Sequence, residues 1–362
     1  MINRLRNLFG KSGKQPDAAA AAPPAVPVPE APAAAAPGQE ETADIERRLT
    51  AAVSEAERQG GDGVALGDAL NMLADFRMKH QQTAEAEQLL RRVLAIEEAV
   101  APVRSDRLVM ALANLAAACR SLGNKAEAES LYRRASERCD GNSAIADALA
   151  TNVVENLAVL YSEDQRYAEC EPLLLRSVAL RERIHGVTDE ALVNALTNLA
   201  TIYRNLRRYG DAEAALRRLV ALLERLRGVG HPDVAHQLHF LVDACFSQGH
   251  YVEAETECRR AFAIYERAVP IDLVSGAATL ANLGQILRRQ GRVDDAEAAY
   301  KQALLTVDVG GDACRSIAGH VLNGYVEFLR EQGRAAEAET HAARAAQLSA
   351  AAAQAAGQTT GG

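Results

Sequence analysis

The chain has 362 residues, a formal net charge of −8, no tryptophan and only 4% aromatic residues. An acidic balance with a pI near 5.6 leaves no phosphate-binding footprint, so nucleic acid is not an expected partner. No run approaches 18 uninterrupted apolar residues, which argues against a membrane-crossing helix, and the six cysteines contain no Cys-x-x-Cys pair.

Residues 1–14 form a basic amphipathic segment. Arg4, Arg6, Lys11 and Lys14 stand among Ile2, Leu5, Leu8 and Phe9, with no acid. Such a segment suits weak contact with an anionic membrane surface or with a partner protein. Gly10-Lys11-Ser12 is not a phosphate loop, because Leu5 occupies the place of the required glycine and no strand precedes it. Residues 15–43 hold seven of the eleven prolines and a run of alanines, the composition of a disordered linker. Residues 44–63 read as a capping helix, with Ile45, Leu49, Ala52, Val53 and Ala56 on one face and Gly60-Gly61 closing it.

From residue 64 to 349 the chain repeats every 42 residues, seven times, without insertion or deletion. Asn156-Leu157-Ala158 recurs as Asn114-Leu115-Ala116, Asn198-Leu199-Ala200 and Asn282-Leu283-Gly284, and as Met72-Leu73-Ala74 and Phe240-Leu241-Val242. Glu87, Glu129, Glu171, Glu213, Glu255, Glu297 and Glu339 keep the same phase, each with an acid two places earlier. A fixed period of this length marks a solenoid, in which each unit buries its apolar face on its neighbours. Each unit reads as two helices, A and B. In the third, Val154, Leu157, Ala158 and Tyr161 make one stripe, a polar break follows, and Cys170, Leu174, Ser177 and Val178 make a second. The break column contains Gly123, Gly249, Gly291 and Gly333, as expected where a helix ends in a left-handed residue. The paired acids fall in the first turn of helix B, where the helix dipole favours carboxylates. Residues 350–362 read as a disordered tail.

The Leu-Ala-x-x-Tyr run, the Tyr-x-Glu-Ala-Glu run and the linker His231-Pro232-Asp233-Val234-Ala235 resemble the tetratricopeptide repeat in its 42-residue, kinesin-light-chain-like form. Repeats one and five depart from that pattern, with Arg77 and Cys245 in the tyrosine column. The resemblance implies an all-α, right-handed α-solenoid of seven helix-turn-helix repeats, whose A helices line a concave groove. It also implies a non-catalytic protein–protein interaction scaffold that binds a peptide segment of a partner, with no cofactor.

With Leu157 as position 7 of helix A, the face opposite the core stripe is positions 2, 5, 6, 9, 12 and 13. Asn114, Asn152, Asn156, Asn194, Asn198 and Asn282 lie there, and primary amides suit the backbone of an extended peptide. Arg120, Arg204 and Arg288 share position 12, a row for acidic groups or, equally, for surface salt bridges. Phe246 is a candidate apolar anchor on the same face. His236, His239 and Asp243 have metal-ligand spacing on one helix, without a fixed fourth ligand. Four cysteines (Cys119, Cys170, Cys245 and Cys258) occupy core columns and are expected to pack as small hydrophobes. The chain is expected in the cytoplasm, peripheral to membrane if residues 1–14 dock there. An alternative to the scaffold is a regulatory protein whose solenoid changes shape when a ligand or peptide binds.

Overall fold

The computed structural model describes residues 37–60, 63–100, 105–139, 147–186 and 190–359. The basic segment at 1–14 and most of the proline-rich stretch lie outside these residues. The described chain is all-α apart from one 3₁₀ turn, and it divides into two compact units, within residues 37–186 and 190–359. No helix among the described residues is long and apolar enough to cross a membrane.

In the first unit α1 (Pro37–Gln59) packs on the first of three hairpins: α2 (Val64–Lys79) with α3 (Thr83–Val100), α4 (Ser105–Ser121) with α5 (Lys125–Cys139), and α6 (Asp147–Glu163) with α7 (Tyr167–His185). The second unit has four: α8 (Glu190–Asn205) with α9 (Tyr209–Arg227), α10 (Pro232–Ser247) with α11 (Tyr251–Arg267), α12 (Leu273–Arg289) with α13 (Val293–Gly310), and α14 (Arg315–Glu331) with α15 (Ala335–Thr359). Even-numbered helices are the A helices. Two boundaries differ from the sequence reading. Helix α1 begins at Pro37, ahead of its apolar stripe. Helix α15 continues to Thr359, through most of the stretch read as a disordered tail, because alanine and glutamine are strong helix formers.

The core columns are buried as their periodicity requires. Val154, Leu157, Ala158 and Tyr161 of α6 are each at most 4% exposed, and their counterparts in α4 and α8 are equally covered. All six cysteines are buried and reduced. Burial pushes the Cys258 thiol up to about 12 and those of Cys119, Cys170 and Cys245 to about 11, so they pack as apolar groups. At the break between A and B, residues 81, 123, 165, 207, 249, 291 and 333 all take positive φ, 42 residues apart. Glycine fills four of these positions, while Gln81, Gln165 and Arg207 adopt the same left-handed turn.

The glutamate column does more than complement the helix dipole. Glu129 accepts from Arg133 on its own helix (2.7 Å), from Arg166 at the start of the next B helix (2.6 Å) and from the Tyr161 hydroxyl (3.3 Å). Arg166 also pairs with Glu169 and lies over the Tyr161 ring, 4.3 Å from its centroid. The arrangement recurs in the second unit. Glu255 takes Arg259 and Arg292, and Glu297 takes Lys301, Arg334 and the Tyr325 hydroxyl. Arg292 and Arg334 in turn hold Asp295 and Glu337, the acids two places before the column. At these three junctions consecutive repeats are therefore joined through a carboxylate offered by one and a guanidinium returned by the next, while Glu213 meets Gln248 and His250 instead. In repeat one, Arg77 in the tyrosine column pairs with Glu46 of α1 and Glu85 of α3, both at 2.7 Å, and ties α1 down.

Candidate functional site

Positions 2, 6, 9 and 12 of the A helices form the open face in each unit. On the first unit Asn114 and Asn152 are exposed, beside Met72 (54% exposed) and Met110 (47%). Asn156 is committed within its own helix, donating to the backbone and side-chain oxygens of Asn152 at 2.9 and 3.1 Å. Glu155 at position 5 does not face the groove. It turns toward α7, where Arg181 holds it through two contacts of 2.6 Å and Ser177 donates to it. Position 5 sits between the groove face and the core stripe, and a long side chain there reaches the partner helix. On the second unit Asn194 and Asn198 are exposed.

The arginines at position 12 already face acids on the following A helix. Arg120 lies 3.6 Å from Glu163, Arg204 3.4 Å from Asp243, and Arg288 about equally near Glu327 (3.5 Å) and Glu331 (3.6 Å). These are long, loose pairings. Nη1 of Arg120 and Nε of Arg204 are buried without a hydrogen-bond partner, so the pairs leave donor capacity unused.

The second unit concentrates this face into one cavity of about 460 Å³, open to solvent and lined from four A helices. Phe240 and Phe246 of α10, Ile286 of α12 and Ile317 of α14 make its apolar wall. Arg204 of α8 covers one side, with its guanidinium 4.4 Å from the Phe240 ring centroid. Asn282 and Gln285 line the α12 side, and His320 Nε2 comes within 3.4 Å of Asn282 Oδ1. Phe246 packs edge-on against Tyr251, with centroids 5.4 Å apart, and still presents a face to the cavity. Of the site residues read from the sequence, Arg204 and Asn282 line this cavity, whereas Arg288 is largely covered. Sequence reasoning missed Ile286 and Ile317. Ile286 at position 10 falls in neither the core stripe nor the numbered face, and Ile317 lies in the first turn of α14, ahead of that face.

His236, His239 and Asp243 do not converge as metal ligands; His236 and His239 pack instead against Phe240. Nδ1 of His231 accepts from the backbone of Asp233 and caps α10. Among the described residues, Glu87, Cys119 and Glu127 bring ligand atoms together, but Arg91 donates to both carboxylates and occupies the place of a cation. Burial pushes the His239 imidazole below the ordinary histidine value, against the pull of Asp243.

No curated protein matches the chain. Solved structures similar to it include BtubC (BKLC) from P. vanneervenii, at 24% identity over 62% of this chain and 88% of that one, with a TM-score of 0.46. A Podosopora anserina protein of nearly identical, kinesin-light-chain TPR-like repeats is 18% identical over 66% and 93% of the two chains (TM-score 0.35). A tetratricopeptide repeat protein from Parabacteroides merdae is 16% identical over 79% and 93% (TM-score 0.41). The tetratricopeptide repeat family model matches residues 39–140, 147–225, 192–267 and 233–304. Together these spans run through most of the seven-hairpin body, and the chain belongs to the tetratricopeptide repeat family.

Proposed function

We propose that this protein is a non-catalytic scaffold that binds a peptide segment of a partner protein along the A-helix face of its repeats. Tetratricopeptide repeats serve generally in protein–protein interaction, and proteins built from them are typically adaptors rather than catalysts. The cavity of the second unit is the observation that carries the finer reading. It offers an apolar wall for one side chain and, along its α12 side, amide groups able to bond a peptide backbone. A cytoplasmic location goes with this reading, and the basic segment at 1–14 would supply a second contact with a partner or a membrane surface.

Selection of peptides from a displayed random library on the purified full chain tests it. The affinity of a selected peptide is then compared between wild type and Phe246→Ala combined with Asn282→Ala. Loss of an apolar anchor and an amide contact should weaken binding at least about tenfold, equivalent to ~1.4 kcal/mol. Undiminished affinity in a variant with unchanged helicity would place the peptide away from this cavity.

A further inference from the structure

Three imidazoles stand around the cavity described above. His236 and His239 come from α10 and His320 from α14, and His239 and His320 line the cavity itself. His239 is the one set into the wall, with its ring edge-on to Phe240 at 5.9 Å. Among the described residues, the charged and titratable groups that act most strongly on it are these. Asp243 and His236 lie one turn away on its own helix, Arg204 approaches from α8, and His320 approaches from α14. The α12 side of the cavity presents the uncharged Asn282, Gln285 and Ile286. Among these groups a single carboxylate, already shared with Arg204, favours the His239 cation.

An apolar side chain entering this cavity displaces water that an imidazolium needs far more than a neutral ring does. Resting on the reading of this face as a peptide-binding surface, we infer that the cavity is a proton-gated receptor for an uncharged apolar side chain. It holds that group while His239 is neutral and releases it when His239 takes up a proton. The sign follows from linkage. Occupancy favours the deprotonated ring, so the dissociation constant rises as pH falls through the pKa of His239, at a limiting rate of about tenfold per pH unit for one proton. Asp243 stabilises the cation and sets the release point higher; Arg204 and His320 set it lower.

Nile red, a neutral dye that fluoresces in apolar surroundings, serves as the probe with the full-length chain, titrated from about pH 8 to about pH 5 to span imidazole protonation. The wild type is expected to lose affinity toward acid, His239→Gln to bind with little dependence on pH, and Asp243→Asn to show the loss displaced to lower pH. Nitrogen-15 NMR of the imidazoles, with His239 assigned through His239→Gln, should show its pKa falling further at saturating dye. A wild-type affinity independent of pH, a pH dependence retained in His239→Gln, or a His239 pKa unmoved by the dye would each overturn the gate. The two readings fail separately. Selected peptides that ignore the Phe246/Asn282 double variant remove the peptide site and leave the dye linkage standing, whereas peptides sensitive to it, with no dye linkage, remove only the gate.

Discussion

Gly284→Ala sets two well-characterised effects against each other at one atom. Gly284 lies inside α12, where alanine should stabilise the helix by about 1 kcal/mol. Its added Cβ, however, would stand 2.9 Å from Cδ2 and Cε2 and 3.0 Å from Cγ of Tyr300, well inside the ~3.5–4.0 Å optimum for carbon contacts. The ring has nowhere to go. It is 1% exposed and packed against both Tyr325 and Phe328, with centroids 5.7 and 5.6 Å away. Overpacking of this kind costs about 1–3 kcal/mol, so the clash should win and leave a net loss of ~1 kcal/mol. The period itself supplies the rescue. The equivalent pairs in repeats three and four are Ala158 with Leu174 and Ala200 with Leu216, while in repeat two Ala116 stands with Tyr132 only where Leu157 and Leu160 replace Tyr325 and Phe328. In a Tyr300→Leu background the alanine should therefore be accepted, with a coupling of at least about 1 kcal/mol between the two changes. Urea unfolding of the four proteins measures this, and hydrogen exchange across α12 and α13 shows whether the change is local. A Gly284→Ala protein stabilised by ~1 kcal/mol in both backgrounds would refute the close approach.

Arg207 holds a left-handed turn (φ 56°) that glycine fills in four other repeats, so Arg207→Gly should raise stability by about 0.5–1 kcal/mol, read as a higher melting temperature. An unchanged or lower melting temperature would mean that the arginine side chain stabilises the turn by other means. Lys301, then Arg334, hold the Glu297 carboxyl at about 2 against an ordinary 4.5. Because the folded value is the lower one, its stabilisation is complete above pH 4.5 and is lost as pH falls toward 2. Glu297→Gln should be less stable at neutral pH by about 1–3 kcal/mol, and its melting temperature should fall less steeply in acid than that of the wild type. Parallel curves for the two proteins would count against the three-donor arrangement.

Much of the fold was legible because packing in a repeat protein is local and recurs in register. Leu157, Ala158 and Tyr161 could be assigned to the core from their spacing, and Gly123, Gly249, Gly291 and Gly333 to the turn from their chemistry. Gln165 and Arg207 could be assigned to it by phase alone. The role of the glutamate column was half visible. Its phase was plain, but the arginines that share a register with one another, Arg166, Arg208, Arg292 and Arg334, went unread. That the base of one repeat meets the acid of the repeat before depends on how far helix B of one hairpin lies from the next, which a helical wheel does not contain. The groove face failed at Glu155 for a similar reason, since position 5 is within reach of Arg181 only once α6 and α7 have packed. The cavity was least legible. It needs side chains from four helices, and Ile286, at a position outside both the core stripe and the open face, is buried and still contributes to the wall.

The joint between repeats also gives each stack a direction. Wherever the joint forms, the acid points forward and the base backward, so the two ends of such a stack are chemically unlike, as in a polymer with distinct head and tail. Removing α14 and α15 would leave Glu297 without Arg334 and Tyr325, an acid-bearing end. Cutting the same stack before α12 would instead leave Arg292 without Glu255, a base-bearing end. Glu339 already stands at the acid-bearing end of the described chain: it meets only Arg330 of its own hairpin and is 73% exposed. An added hairpin should therefore extend the stack beyond α15 only if it carries a basic residue at the position equivalent to Arg334, whereas the same hairpin placed before α1 would turn its acid toward α1 and leave its base with no preceding acid to meet.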